Sequence, residues 1–393
     1  MAHTGMISSI IKPQKIPFNI PYLTGYEEAY MLQALRSRAH SGNNEFGTRC
    51  MTLMKQRYGF GEVFLTPSCS AAMEMGVLLA GIRPGDEVVL PSYTFSSTAN
   101  AVVLHGGIPV FCEVEAGTMN IDVEKLEKCI TPKTKMIIPI DYAGIPCDTL
   151  AINEIAKKHH LVVMVDAAQS FHSYRQGKSC GSLTDLAAFS FHETKNNSCG
   201  EGGALIVNRP EWVRRAHFIQ EKGTDRQLVL DGVTSKYHWV DKGSSYLLAD
   251  ILAAMLLAQI EKAQEIVEKR AKITKVYRNI TTPFEKKGYI QTPVHRKDIS
   301  VNHHAFFIIF DKPENRTTFI AKLKEKNVAA YIGYEPLHSS PMGQTYGYKA
   351  EDLPKTETLA SRLVRLPFYA DLADHGLDYC AAQIKETLAS LYG

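Results

Sequence analysis

The chain has 393 residues, of which 45% are hydrophobic, so it is long enough to bury a large core in one big domain plus a smaller one. Its 44 Lys and Arg nearly balance 41 Asp and Glu, and a net charge of +3 gives no electrostatic case for binding nucleic acid or an anionic membrane. The longest apolar stretch, residues 246–260, contains Asp250 and Gln259 and is too short to span a bilayer. The eight cysteines form no CxxC pair or metal-ligand spacing, and no signal peptide opens the chain, so we expect a cytoplasmic protein without a metal site.

Between residues 60 and 210, short β-rich runs alternate with segments of helical periodicity. Strands are predicted at 62–65, 87–90, 109–111, 135–140, 161–165, 187–191 and 204–207. Helices are predicted at 70–80, which can begin with a hydroxyl cap, and at 152–159. This alternation predicts an α/β fold with a mostly parallel central sheet covered by helices.

After residue 244 the pattern changes. A long helical run at 249–275 is followed by a strand candidate at 304–309 and a helix candidate at 317–326. No internal repeat or low-complexity linker separates the two parts, so we expect them to pack closely. We predict a large cofactor-binding α/β domain at 12–258 and a small C-terminal α+β domain at 259–393.

A carboxylate follows the apolar strand at 161–165, in the segment Asp166-Ala-Ala-Gln169. Ligands of open α/β sheets bind at the carboxyl edge of the strands, and a buried Asp is costly unless a cation or hydrogen-bond donors compensate it. A protonated pyridine nitrogen would serve as that cation. The structural alternative is an Asp that caps the following helix.

A second apolar strand leads into His192-Glu-Thr-Lys195-Asn196, and the glycine-rich segment Gly200-Glu-Gly-Gly203 follows. A lysine held near the sheet edge is desolvated, which lowers its pKa and makes its amine nucleophilic. Such an amine can form an imine with an aldehyde cofactor and can later shuttle a proton. The alternative is an ordinary solvated lysine.

Two further segments can complete a cofactor site. Residues 67–72 read Pro-Ser-Cys-Ser-Ala-Ala and offer backbone amides at a helix N-terminus to a phosphate, with Ser70 and Ala71 as anchors. Residues 91–95 read Pro-Ser-Tyr-Thr-Phe and place a ring where it can stack on a flat cofactor. Serines also cap helices without binding a ligand, and aromatic residues in such positions are more often part of the core.

Together these segments resemble the DegT/DnrJ/EryC1/StrS family of sugar aminotransferases, which have the type I fold of pyridoxal-phosphate enzymes. The resemblance runs from Ile16-Pro-Phe-Asn19 to Leu366-Pro-Phe368 and is most specific at residues 190–203. The segment beginning at Pro91, Glu221-Lys-Gly-Thr224 and Gly243-Ser-Ser-Tyr-Leu247 are similar to those of family members that make dTDP-4-amino-4,6-dideoxygalactose.

The resemblance implies pyridoxal phosphate as the cofactor, with Lys195 as the Schiff-base lysine and Asp166 as the partner of the pyridine nitrogen. The other implied cofactor contacts are Gln169 at the ring oxygen, Phe95 on the ring, and Ser70, the Ala71 amide and Ser190 at the phosphate. His338 and His192 are the implied candidates for contact with the sugar nucleotide.

The chain departs from the family pattern at three places. Cys69-Ser70 stands where members commonly have Gly-Thr before the phosphate helix. Ser245 occupies the segment in which many members supply an Asn to the partner subunit's phosphate site, so Ser245 is the candidate substitute. Asp141 stands where a His is expected, with an effect that the sequence leaves open.

The implied reaction converts dTDP-4-keto-6-deoxyglucose to dTDP-4-amino-4,6-dideoxygalactose with glutamate as amino donor, for cell-surface polysaccharide synthesis, in a homodimer with shared active sites. Amination at C3, a UDP sugar or a gluco product remains open. The sugar 3-dehydratases of the family carry His in place of the lysine, so Lys195 argues against that reaction. A nicotinamide-dependent oxidoreductase lacks support, because no GxGxxG motif for binding the dinucleotide follows an early strand. The remaining alternative is a regulatory protein that binds pyridoxal phosphate without catalysing a reaction.

Overall fold

The computed structural model describes residues 14–294 and 296–393. Its strands, in chain order, are β1 Glu62–Thr66, β2 Glu87–Pro91, β3 Ile108–Cys112, β4 Thr134–Ile137, β5 Val162–Asp166, β6 Tyr174–Arg175, β7 Lys178–Ser179, β8 Leu186–Ser190, β9 Gly203–Val207, β10 Ile290–Gln291, β11 Ile299–Ser300, β12 Phe307–Phe310, β13 Tyr331–Ile332 and β14 Leu363–Arg365. All seven strands predicted between residues 60 and 210 are present, with shifts of a few residues at their ends.

The central sheet has seven strands in the order β1-β9-β8-β5-β4-β2-β3. From β8 to β3 every neighbouring pair is parallel, whereas β9 is antiparallel to both β1 and β8. The predicted α/β fold with a mostly parallel sheet is therefore confirmed. Because the parallel strands run in one direction, the carboxyl ends of β5 and β8 lie side by side.

The helices are α1 Glu27–Ser37, α2 Glu45–Tyr58, α3 Cys69–Leu79, α4 Ser96–Val103, α5 Val123–Leu126, α6 Thr149–His159, α7 Pro210–Gln220, α8 Arg226–Leu230, α9 Asp250–Glu261, α10 Ala263–Lys286, α11 Pro313–Glu325, α12 Pro341–Thr345, α13 Pro354–Arg362 and α14 Leu377–Tyr392. The single helix predicted at 249–275 is two helices that meet at Lys262, whose backbone angles leave the helical region. The part of the chain that the structure describes contains no helix long and apolar enough to cross a membrane.

Alternate residues of the central strands point into two different apolar clusters, as the pleat of a sheet requires. In β5, Val163 and Val165 belong to one cluster with α1, α2 and α9, whereas Met164 belongs to the other with α3 and α7. The central strands are therefore buried on both faces. This burial explains why they read as continuous apolar runs in the sequence.

A third apolar cluster is formed by the C-terminal part of the chain together with Ile16. It covers a sheet in the order β10-β12-β14-β13 and is packed by α10, α11 and α14. This separate core supports our division into a large and a small domain, which stays a proposal. The predicted boundary at 258/259 falls inside α9, and the break at Lys262 is a more natural limit.

Candidate active site

A cavity of about 520 Å³ lies at the carboxyl ends of β5 and β8, where the large sheet meets the C-terminal part of the chain. The large sheet and its loops supply Ser68, Cys69, Ser70, Met73, Thr94, Phe95, Ser97, Ile140, Asp166, Ala168, Gln169, Ser190, His192, Thr194, Lys195, Glu201 and Gly202. The remaining walls come from Phe18 and Asn19 and from His304, Ala305, Tyr334, Arg365, Leu366 and Phe368. Six of the sequence-predicted cofactor residues thus line one cavity.

Asp166 is the last residue of β5, and it is buried. Its Oδ2 accepts a hydrogen bond from the Thr98 hydroxyl at 2.8 Å, and its Oδ1 accepts one from the Ala168 amide at 3.1 Å. Burial raises the pKa of Asp166, while these two donors and the charge of Lys195 oppose the rise. The carboxylate is therefore held in place and is ready to accept a further cationic donor.

Lys195 follows β8 and lines the same cavity. Desolvation lowers the pKa of its amine below that of an ordinary lysine, and the nearby charge of Asp166 partly offsets this effect. A larger share of the amine is consequently neutral and nucleophilic at physiological pH. The structure thus brings together the two residues that the sequence singles out for covalent chemistry.

Gln169 is held between two elements at one wall of the cavity. Its Oε1 accepts a hydrogen bond from the Ala143 amide at 2.7 Å, and its Nε2 donates to the Tyr334 hydroxyl at 3.1 Å. Ala143 adopts a left-handed conformation with a φ of 57°. These contacts fix the side chain against the cavity, which fits its predicted place beside a cofactor ring.

The N-terminus of α3 lies at the other end of the cavity. Ser68 caps the helix by accepting a hydrogen bond from the Ala71 amide at 3.1 Å, so the hydroxyl cap lies two residues before the predicted start at residue 70. Ser70 donates its hydroxyl hydrogen bond to Ser97 at 2.7 Å, and both serines line the cavity. Among the described residues, none accepts a hydrogen bond from the amides of Cys69 and Ser70. Two free amides and two hydroxyls at a helix N-terminus fit a phosphate group.

Gly203 permits β9 to pass close to this helix N-terminus. A Cβ at position 203 would lie 2.4 Å from the carbonyl carbon of Ser68 and 2.5 Å from the nitrogen of Cys69. Both neighbours are backbone atoms, which cannot swing aside. The glycine is therefore needed for the close approach, and it explains part of the glycine-rich sequence after Lys195.

Ser190, Phe95 and His192 complete the set of predicted residues that line the cavity. Ser190 ends β8 and is buried, whereas Phe95 is exposed at the start of α4 with its ring 6.0 Å from that of Tyr334. The ring of His192 is turned toward its own loop, because its Nδ1 lies 2.9 Å from the Thr194 hydroxyl.

Three predicted residues do not line this cavity. Ala71 lies in the first turn of α3, and its amide donates a hydrogen bond to the capping hydroxyl of Ser68. His338 is fully buried, with its Nδ1 2.6 Å from the Ser92 hydroxyl and its Nε2 3.5 Å from Glu357. The predicted sugar contact of His338 therefore finds no support in this geometry. Ser245 is exposed in an extended segment that bridges to Glu221, outside the cavity of its own chain.

Asp141, whose effect the sequence leaves open, has a structural explanation. Its carboxylate is buried and accepts hydrogen bonds from the Cys147 amide at 2.8 Å and from the Ser170 hydroxyl at 2.7 Å. Burial raises the pKa of Asp141. The residue thus ties the loop at 141–147, which contains Ala143, to the segment that follows Asp166.

Sequence reasoning missed three residues as individual contributors to the site. Tyr334 and Arg365 line the cavity, whereas Thr98 does not line it but donates a hydrogen bond to Asp166. Thr98 lies within the motif that begins at Pro91. Its position four residues after Thr94, which would put both hydroxyls on one face of a helix, was the only sequence signal for its role. Tyr334 and Arg365 belong to the C-terminal part, where no pattern in the sequence connects them to the large sheet.

A sequence profile of the DegT/DnrJ/EryC1/StrS aminotransferase family matches residues 27–385. The chain belongs to this family. Among curated relatives, the spore coat polysaccharide biosynthesis protein SpsC of Bacillus subtilis is 30% identical over 92% of this chain and 94% of its own. GDP-perosamine synthase of Escherichia coli O157:H7 is 28% identical over 94% of this chain and 98% of its own. A putative sugar aminotransferase of Streptococcus pneumoniae, Spr1654, superposes with a TM-score of 0.88 over 96% of this chain and 98% of its own at 24% identity, which shows a shared fold.

Family membership confirms the predicted class of enzyme, a pyridoxal phosphate-dependent aminotransferase of the sugar aminotransferase family. The cavity fits this cofactor on its own chemistry. It offers a desolvated amine for the aldehyde, a buried carboxylate for the pyridine nitrogen, and amides and hydroxyls at a helix N-terminus for the phosphate. We propose the role of each of these residues, the sugar substrate and the amino donor below.

Proposed function

We propose that the enzyme transfers an amino group from glutamate to C4 of dTDP-4-keto-6-deoxyglucose and forms dTDP-4-amino-4,6-dideoxygalactose for cell-surface polysaccharide synthesis. The observation that carries the proposal is the placement of Lys195 and Asp166 in one cavity at the ends of neighbouring parallel strands. A nucleophilic amine and an ionisable carboxylate are the two groups that transamination requires from the protein.

Bound pyridoxal phosphate supplies an aldehyde for covalent attachment and a ring that accepts electrons from the reacting carbon. Lys195 would hold the cofactor through its amine, and as a free amine it would move the proton at the reacting carbon. Its lowered pKa favours the neutral amine that can accept this proton. Asp166 would favour the protonated pyridine nitrogen, the form in which the ring accepts electrons.

Other residues of the cavity orient the cofactor. Ser70, Ser190 and the free amides at the start of α3 would bind the phosphate, with Ala71 contributing through the cap that shapes this turn. Gln169 and Phe95 line the cavity, where Gln169 would hold the ring oxygen and the exposed ring of Phe95 would stack on the cofactor. His192 is the remaining candidate for sugar contact, since it lines the cavity and His338 does not.

Two observations support a nucleotide-linked keto sugar as acceptor. The curated relatives include a polysaccharide biosynthesis protein and a synthase named for a GDP-linked sugar. The segments that begin at Pro91 and Gly243 resemble those of enzymes that make the dTDP-linked 4-amino product. The nearest alternative is amination of another nucleotide-linked keto sugar, at a different carbon or on a different base.

We further propose a homodimer in the cytoplasm. Ser245 is exposed and lies outside its own cavity, as expected of a residue that serves the partner subunit's phosphate site. All eight cysteines are free, and seven of them are buried, which supports a reducing compartment. Ser245→Asp would place a negative charge at that phosphate site and should weaken cofactor binding without changing the fold.

The test is a spectral titration of the cofactor-loaded enzyme, first with glutamate and then with dTDP-4-keto-6-deoxyglucose. Glutamate should discharge the visible absorbance of the bound aldehyde, the keto sugar should restore it, and NMR of the product should show an axial amine at C4. If glutamate discharges the absorbance and this sugar fails to restore it, the aminotransferase stands and the substrate is wrong. If the amine is equatorial, the product has the gluco configuration.

A further inference from the structure

Arg365 is a cation in the cavity wall without a counter-ion. It is the last residue of β14, and its side chain lines the cavity. Within residues 14–294 and 296–393, no carboxylate or carbonyl makes a hydrogen bond or ion pair with it, and its Nε is buried without a partner. Its neighbours are aromatic faces, with the guanidinium carbon 5.3 Å from the ring centre of Phe18 and 5.5 Å from that of Tyr334.

Arg175 and Arg270, the two arginines that are buried as whole residues in the described part of the chain, have partners for their charge. Arg175 forms ion pairs with Asp148 at 3.0 Å and with Asp298 at 3.1 Å. Arg270 donates to backbone carbonyls, including that of His303 at 2.9 Å. A guanidinium removed from water costs free energy unless an anion or several acceptors replace the lost hydration. Aromatic faces replace only part of it, so Arg365 has capacity left for an anionic ligand.

We propose that Arg365 binds the carboxylate attached to the reacting carbon of the amino donor, an inference that rests on the proposed aminotransferase function. The guanidinium fork matches a carboxylate in a bidentate geometry. Arg365 and Lys195 share the cavity, and in an amino acid the carboxylate is one bond from the carbon that reacts at the lysine. In a nucleotide-linked hexose aminated at C4, the diphosphate is across the sugar ring from the reacting carbon and lies too far away for this role.

Electrostatics in the cavity agree with this placement. The positive charge of Arg365 repels the protonated amine of Lys195, and this repulsion adds to desolvation in lowering the pKa of that amine. The phosphate of the cofactor is assigned above to a separate place, the start of α3 with Ser70 and Ser190. The anion that Arg365 receives is therefore the one that arrives with the amino donor and leaves with the keto acid.

The experiment compares Arg365→Gln and Arg365→Lys with the wild-type holoenzyme. Arg362→Gln is the matched control, because Arg362 lies three residues earlier, also has a buried Nε without a partner, and does not line the cavity. Two half-reactions are measured by stopped-flow absorbance: amination of the cofactor by glutamate, and amination by the dTDP-linked amino sugar. Urea unfolding of each variant reports on its folding.

Loss of a charge-assisted hydrogen bond between Arg365 and the donor carboxylate should lower kcat/KM for glutamate by roughly 10- to 100-fold. We expect Arg365→Gln to lose this factor mainly through KM, Arg365→Lys to lose less, and Arg362→Gln to match the wild type. The half-reaction with the amino sugar should stay within about twofold, because its reacting carbon carries no carboxylate. Equal losses in both half-reactions would assign Arg365 to cofactor positioning and overturn the proposal.

A second readout does not require turnover. Aminooxyacetate and methoxyamine both react with the bound aldehyde, and only the first carries a carboxylate near its amine. The wild type should favour aminooxyacetate, and Arg365→Gln should lose that preference. A wild type that shows no preference contradicts the role of Arg365 even if the sugar is correct. A clear preference in an enzyme that ignores the dTDP sugar supports Arg365 and contradicts the proposed substrate.

Discussion

The hydroxyl of Thr98 donates a 2.8 Å hydrogen bond to Oδ2 of Asp166, although the two residues are 68 positions apart in the chain. The Thr98 hydroxyl also lies 2.8 Å from that of Thr94, which lines the cavity. Both threonines are buried, so these bonds are shielded from water. Thr98 thus favours the ionised form of a carboxylate whose burial favours the neutral form.

Thr98→Val should weaken the enzyme while preserving its shape. Valine fills the same volume without the hydroxyl, so the pKa of Asp166, already raised by burial, should rise further. The acid limb of the pH profile for the glutamate half-reaction should move to higher pH. At neutral pH, kcat/KM should fall about 10-fold, the lower end for a lost hydrogen bond to a charged group.

Thr98→Ser is the control for this experiment, since it keeps the hydroxyl and should retain most of the activity. If the valine and serine variants share one pH profile, Thr98 does not control the protonation of Asp166.

Gly203→Ala should disturb the phosphate end of the cavity. The new Cβ would lie 2.4 Å from the carbonyl carbon of Ser68, so β9 and the start of α3 must separate. We expect a loss of about 1–3 kcal/mol in the free energy of unfolding, together with weaker binding of pyridoxal phosphate in equilibrium titration. Gly59→Ala is the control for a loss of stability alone: its φ of +66° strains an alanine although nothing lies within 4 Å of a Cβ there, and cofactor affinity should stay unchanged. Unchanged cofactor affinity in Gly203→Ala would show that this contact does not shape the phosphate site.

Lys195→Met should change how the stability of the apoprotein depends on pH. Burial lowers the pKa of Lys195 in the folded state, so between that value and the ordinary lysine pKa the unfolded chain binds more protons than the folded chain. The wild-type free energy of unfolding therefore rises with pH through this window and is depressed below it. The stability gained by methionine should be largest below the window and shrink as pH rises.

Urea unfolding of the apoproteins across pH measures this effect. Lys178→Met is the control, since Lys178 is exposed on β7 and its removal leaves the buried amine of Lys195 in place. A difference for Lys195→Met that is constant across pH would show that its amine is not desolvated.

His338→Phe separates a core role from a sugar-binding role. The substitution leaves the Ser92 hydroxyl and Glu357 without the imidazole, and unsatisfied groups of this kind cost about 1–3 kcal/mol in the free energy of unfolding. We expect that loss in urea unfolding, with KM for the keto sugar nearly unchanged. A large rise in KM at unchanged stability would restore the sugar contact that the family resemblance implies.

The central sheet could be predicted from the sequence because burial on both faces leaves continuous apolar runs. Asp166 and Lys195 could be identified for the same reason, since each follows such a run and the ends of parallel strands meet at one edge. The start of α3 was predicted one residue late, at Ser70 instead of Cys69, because Ser68 and Ser70 are both acceptable caps and only the backbone conformation distinguishes them.

The C-terminal wall of the cavity could not be predicted. Arg365 and Tyr334 reach the cavity through the packing of the small sheet against the large one, which depends on many weak contacts and has no local pattern. For His338 the family motif suggests a ligand-binding side chain. In the structure its ring is buried and lies 2.6 Å from the Ser92 hydroxyl, a contact that the motif does not reveal. The break at Lys262 was missed because apolar periodicity continues across it from α9 into α10.

The most direct test of the central claim, that Lys195 carries the cofactor, is to reduce the holoenzyme with borohydride and locate the bound pyridoxyl phosphate by peptide mass spectrometry. The lowered pKa of Lys195 and its place in the cavity predict one modification per chain, on the peptide that contains Lys195, and none in Lys195→Ala. Modification of a different lysine, or the same yield in Lys195→Ala, would contradict the account.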